Sequence, residues 1–187
     1  MITSSPDPLK YRDLERYLFE TVGPTFRETG ELSPFMFFSI VVWKANRAKS
    51  KIAKRLKARV ASRTLSDAVR ELAQDLRTAQ NAKGRMRLLL TKWGLKPPMA
   101  SAILTVLWPD EFTIWDVRVQ GELPDFESPP QNFDRFWSWY ERFCDAVRAA
   151  VPGETLRNAD RVLWARSAIK QLETDIARKF SDSHLEE

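Results

Sequence analysis

Apolar positions recur every three or four residues along nearly the whole chain, and alternation of apolar and polar positions is almost absent. That pattern predicts helix after helix. Asp7 with Pro8 supplies a cap and a first-turn proline, and Tyr11, Leu14, Leu18 and Val22 form one apolar side. Ser33-Pro34 repeats the start signal before Phe35, Phe38, Val41 and Val42. This second helix is apolar through Trp43 and then turns basic, so its first half is expected to be buried and its second half to emerge into solvent. A third helix is predicted over about 48–61 on Ile52, Leu56 and Val60, and Ser66-Asp67 opens a fourth bearing Val69, Leu72 and Leu76. Asn81 caps a fifth, running through Leu88, Leu89 and Leu90 to Lys92. The tight segment Trp93-Gly94-Leu95-Lys96-Pro97-Pro98 then leads to a sixth, Met99 to Leu107.

Beyond Trp108-Pro109-Asp110 the chain reads as irregular until Asp116, where a short helix follows, and residues 124–131, with three prolines, read as a loop. Asn132 begins an aromatic helix (Phe133, Phe136, Trp137, Tyr140, Phe143, Val147) that Pro152-Gly153 stops. A last helix is predicted over about 155–180 through Leu156, Val162, Leu163, Ile169, Leu172 and Ile176. Without an internal repeat or a low-complexity linker, the reading is a single all-α domain ending in a flexible tail at 181–187.

Composition narrows the chemistry. The 187 residues are enough to bury a real core. The longest apolar run, Phe35 to Trp43, is nine residues and contains Ser39, too short to span a membrane. The first residues lack a basic stretch followed by an apolar one, so a secretory signal is not expected, and a cytoplasmic, nucleoid-associated location is. The single cysteine, Cys144, forbids an internal disulfide and any four-cysteine metal site. The single histidine, His184, lies in the C-terminal tail, a poor place for the base of a serine or cysteine hydrolase. The six glycines form no phosphate-cradling nucleotide loop. No metal or cofactor is expected, and catalysis would rest on carboxylates, lysines, hydroxyls or backbone dipoles.

The charge matters through its placement. Lys and Arg number 30 against 25 Asp and Glu, a net +5. Between Glu31 and Asp67 there is no acidic residue, while Lys44, Arg47, Lys49, Lys51, Lys54, Arg55, Lys57, Arg59 and Arg63 all fall within 20 positions. Such a run attracts polyanions, though a solvated helix face reads the same way. Further clusters at Lys83-Gly84-Arg85-Met86-Arg87, at Lys92 and Lys96, and at Arg118 favour nucleic acid over an acidic membrane surface, for which the run lacks a large aromatic face.

Residues 92–119, KWGLKPPMASAILTVLWPDEFTIWDVRV, carry the most specific pattern. A helix, a hairpin with Gly94 and a second helix opening on Ala100-Ser101-Ala102 form a helix-hairpin-helix pattern, whose backbone N–H groups can bind phosphate without reading sequence. A plain αα-hairpin with a glycine stop and a proline start has the same outline. The segment resembles the signature of the endonuclease III-like DNA glycosylase superfamily. Gly94 falls on the first hairpin glycine, Ala100 on the alanine opening the helix, Pro109 within the Gly/Pro turn, and Asp116, sixteen residues beyond Ala100, on the catalytic aspartate. Arg118 and Val119 match the end of the motif. Two positions depart: Lys96 replaces the second hairpin glycine, and Pro98 occupies the slot of the lysine with which bifunctional members cleave the strand. The four-cysteine cluster of some members is absent as well.

The resemblance implies a two-lobed helical fold, with a central lobe at about 33–119 and the N-terminal residues 1–32 joining 120–180 in the second. It implies a monofunctional DNA glycosylase, acting without a cofactor as a monomer on double-stranded DNA. The enzyme would flip a damaged or modified base out of the duplex, in repair or in defence against modified phage DNA, and hydrolyse its N-glycosidic bond. Asp116 would stabilise the positive charge developing on the sugar and orient the attacking water; an N-cap is the other role open to it. Lys92, Gly94, Lys96 and Arg118 would contact DNA, with Lys44 and Arg47 beside them. Trp43 and Trp115 are the candidates for the base pocket, core packing being their alternative role, whereas Trp137, Trp139 and Trp164 are assigned to packing and Cys144 to a buried apolar position. A non-catalytic DNA-binding module, or an RNA- or protein-binding helical domain, remain the rival readings.

Overall fold

The structure, a computed structural model, describes residues 8–179 except 124 and 127, and every regular element among them is helical. The Asp7 cap and the tail with His184 lie outside the described residues. The chain divides into two compact units, Met1–Ile114 and Trp115–Glu187.

The first unit begins with α1 (Pro8–Tyr11), α2 (Leu14–Tyr17), a widened turn at Leu18–Val22 and α3 (Gly23–Thr29). The single opening helix expected from the apolar spacing is therefore broken. Asp13 restarts the chain, its carboxylate accepting the Arg16 N–H at 3.0 Å as an N-cap. Next come α4 (Pro34–Ala45), a 3-10 turn at Asn46–Ala48, α5 (Lys49–Lys57), α6 (Leu65–Thr78), α7 (Ala82–Arg87) and α8 (Pro97–Leu107). The Ser33 and Asn81 caps form as the sequence predicts, at 3.2 and 2.8 Å. The cap of α6 is Thr64, whose hydroxyl accepts the Asp67 N–H at 3.2 Å, so the helix starts at Leu65 and the expected Ser66 start moves inside it.

Helix α8 is the centre of this unit: every residue from Met99 to Leu107 is buried. It packs on α3, α4 and α7. Gly23 permits the approach of α3, because a Cβ there would collide with the Val106 carbonyl. Arg27 donates to the Leu107 carbonyl at 2.7 Å and so satisfies an acceptor at the C-terminus of α8. Phe37, Ile40, Leu72, Leu76, Met86, Leu89 and Trp93 complete the core, each large side chain contributing about 1.5–3 kcal/mol.

The second unit holds α9 (Val117–Gly121), α10 (Phe133–Ala150) and α11 (Leu156–Lys179). Helix α10 buries Phe136, Tyr140, Phe143 and Val147 at helical spacing, with Trp139 and Phe143 stacked at 5.4 Å. Trp137 and Cys144 are buried, as expected. Trp164 is not: it is 46% exposed, and Ile169, Leu172 and Ile176 are also exposed. The packing role expected of Trp164 is therefore corrected: Leu156, Ala159 and Leu163, with the buried Asp160, occupy the buried face of α11. No helix among the described residues is long and apolar enough to cross a membrane.

Candidate functional site

The hairpin forms where the sequence places it, and its geometry is set from outside. Past α7 the helix widens over Leu88–Lys92, so that the Trp93 N–H reaches the Leu88 carbonyl at 3.0 Å. Gly94 then takes φ 63°, and the Leu95 N–H turns back to the Leu89 carbonyl at 2.9 Å. That left-handed conformation favours glycine, and an added Cβ would lie 2.5 Å from the Arg59 guanidinium. Three long-range hydrogen bonds lock the loop. Arg55 donates to the Gly94 carbonyl at 2.6 Å, Arg59 to the Lys92 carbonyl at 2.6 Å, and the buried Trp93 indole to Asp75 at 2.9 Å. Arg55, Arg59 and Asp75 escape a reading of the sequence because their partners lie 39, 33 and 18 residues away.

The expected phosphate donors are arranged differently. Lys92 points to its own chain, its ammonium 2.7 Å from Asp75 and 2.9 Å from Glu71. The hydrogen bond to Asp75 raises its pKa above the ordinary lysine value; burial opposes it, and the hydrogen bond to Glu71 and the charges of both carboxylates add to the rise. At the start of α8, Pro97 and Pro98 carry no N–H, and the Met99 and Ala100 N–H groups both donate to the Lys96 carbonyl at 3.0 Å. The backbone donors expected at this helix start are thus removed or engaged, and the Lys96 side chain, exposed at the N-cap position, is the cation that this end presents.

The basic run also divides. Arg55 and Arg59 bind the hairpin, and Lys49 donates to Asn46 at 2.8 Å. Lys54, Lys57 and Arg63 instead line a concavity of about 360 Å³ with Ala58. Lys54 and Lys57 lie in the last turn of α5, where cations complement the helix dipole. Arg63 holds φ 52°, a conformation costing a bulky residue on the order of 1 kcal/mol. Lys44, half-buried, lies in the last turn of α4, and the exposed Arg47 sits in the 3-10 turn that follows.

Asp116 opens α9. Its Oδ1 accepts the Arg118 N–H at 3.0 Å, and its side chain is half-buried. Trp115 closes the same turn by donating from its indole to Gln120 Oε1 at 3.1 Å, while Gln120 donates to the Phe126 carbonyl at 2.8 Å. The Arg118 guanidinium lies 5.5 Å from the Trp164 ring, within cation–π reach of the exposed indole. Trp115 meets Trp139 edge-on at 6.0 Å, and in the first unit the half-buried Trp43 meets Phe19 edge-on at 5.7 Å.

The candidate residues therefore form two groups. Trp43, Lys44, Arg47, Lys92, Gly94 and Lys96 belong to the first unit; Trp115, Asp116 and Arg118 belong to a single turn of the second. Compared with known proteins, the chain matches no family model, no curated protein and no solved structure.

Proposed function

We propose that this chain is a monofunctional DNA glycosylase of the helix-hairpin-helix class, excising a damaged or modified base to leave an abasic site. The observation that carries the reading is Asp116: a half-buried carboxylate held at the start of α9, sixteen residues after Ala100 in the helix that leaves the Gly94 hairpin. Breaking an N-glycosidic bond builds positive charge on the sugar, which a fixed carboxylate stabilises while it orients or deprotonates water. Strand cleavage needs a neutral amine to attack the sugar. Pro98 has none, and the two carboxylates around Lys92 favour its protonated form. Lys96, Lys54, Lys57, Arg63, Lys44 and Arg47 are the backbone-binding cations in this reading, and Trp43 or Trp115 is the surface on which the flipped base stacks.

The same cations, with proline in the lysine slot, suit a second reading in which the chain binds DNA without turnover. One experiment separates the two. Duplexes carrying oxidised, alkylated, deaminated or mismatched bases, and natural phage-modified DNAs, are incubated with the protein, and released bases are identified by mass spectrometry. The glycosylase releases a free base and leaves a site that breaks only on alkali treatment. Tight binding with no base released from any of these DNAs leaves the binding module.

A further inference from the structure

Helix α11 has two apolar faces. At about 100° per residue, Leu156, Ala159 and Leu163 share one side, which is buried in the second unit. Lys170, on that same side, ion-pairs Glu122 at 2.7 Å. Ile169, Leu172 and Ile176 fall within an arc of about 60° on a side roughly 140° away. They are 57%, 57% and 54% exposed, so nothing among the described residues covers them. With Ala165 they make the four-three-four spacing of a coiled-coil seam, on a helix of 24 residues.

We propose that this seam pairs antiparallel with the same seam of a second copy of the chain, making the protein a dimer in place of the expected monomer. Ile169 of each copy then lies opposite Leu172 of the other, and Ala165 opposite Ile176. Charge selects this arrangement. Arg166 and Glu173 flank the seam on one side, each following a seam residue; both are exposed, and neither has an ion-pair partner among the described residues. In the stated register Arg166 of one copy faces Glu173 of the other, and the two-fold symmetry makes the pair twice. Sliding by one heptad sets Arg166 against Arg166 or Glu173 against Glu173, and a parallel pairing sets Arg161 against Arg166. The inference stands independently of the glycosylase reading.

Sedimentation equilibrium of the full chain tests it. The mass rises with concentration from 21.7 kDa toward twice that value, and Leu172→Asp holds the chain at the monomer mass with its helical circular dichroism retained. Arg166→Glu and Glu173→Arg each weaken dimerisation about tenfold or more, and the double exchange restores it, which also keeps the test decisive if Leu172→Asp fails to fold. A chain that stays monomeric at every concentration, whether or not it sediments with lipid vesicles, overturns the proposal. So does a double exchange that leaves dimerisation as weak as the single ones.

Discussion

Asp116 combines a structural task with the proposed chemical one, and the two can be separated because asparagine performs only the first. Asparagine caps a helix as well as aspartate does, so Asp116→Asn keeps an acceptor for the Arg118 N–H and changes stability by less than about 0.5 kcal/mol. It removes the negative charge, and base release falls by about 10²–10⁴-fold. Asp116→Ala loses both functions and unfolds about 1 kcal/mol more easily. Thermal denaturation beside the yield of alkali-labile sites reads the two effects; an asparagine variant as active as the parent removes Asp116 from the chemistry. Lys92 makes the opposite case, a residue that reads as a DNA contact and is bound to its own fold. With its side chain 40% exposed, its pairing with Asp75 and Glu71 contributes about 1 kcal/mol or less. Because its pKa is raised on folding, that contribution is complete below the ordinary lysine value of 10.5 and is lost as pH rises through the folded value. Urea unfolding of Lys92→Met against the parent therefore shows a constant deficit from neutral pH to about pH 9, which closes only in strong alkali.

The hairpin joins α7 to α8, but α5, the turn after it and α6 decide its shape, and Gly94 is where the two requirements meet. Gly94→Ala combines a left-handed φ with a Cβ pressed on Arg59, so it destabilises by more than about 1 kcal/mol. The clamp from Arg55 and Arg59 loosens with it, and faster amide exchange at Leu95 and Ala100, in a protein otherwise protected, is the expected signature. An unchanged exchange pattern means that the arginines do not set the loop. The same contrast explains what the sequence makes legible. Ser33, Asn81 and Asn132 cap the helices they announce, because a cap and its N–H are two or three residues apart. The Asp13 cap is hidden in the sequence because the apolar spacing runs straight across the break it creates. The clamp leaves no local signal at all, since Arg55 and Arg59 are indistinguishable in sequence from the other cations of the run. The apolar period of α11 identifies a helix correctly, yet it cannot say which of two apolar faces the fold will bury. The helix start at Asp116 is legible in the sequence, whereas the surroundings that hold Trp115 and Arg118 depend on Gln120, Trp139 and Trp164 from three different elements.

The net charge of +5 conceals a division of labour among the cations. Arg55, Arg59, Lys92 and Arg27 bind carbonyls or carboxylates of their own chain, and Arg85 lies over Trp108 at 3.9 Å while pairing with Glu111 at 3.0 Å. Charges already matched release few counterions when DNA binds. Those lining an open concavity with no carboxylate in its wall release more. Lys54, Lys57 and Arg63 are such a set, and their removal tests whether the electrostatic surface lies on α5 and the turn after it. The triple variant Lys54→Gln, Lys57→Gln, Arg63→Asn keeps the helix, because glutamine is a good helix former and asparagine tolerates the left-handed conformation at 63. The slope of log affinity for duplex DNA against log salt becomes shallower by about 2–3, equally for every sequence tried, because phosphate contacts carry no base information. Lys92→Met, measured alongside, changes that slope by less than about 1, its charge being balanced by Asp75 and Glu71. If the triple variant retains the parent slope while Lys92→Met loses it, the interface lies on the hairpin lysine and not on this face.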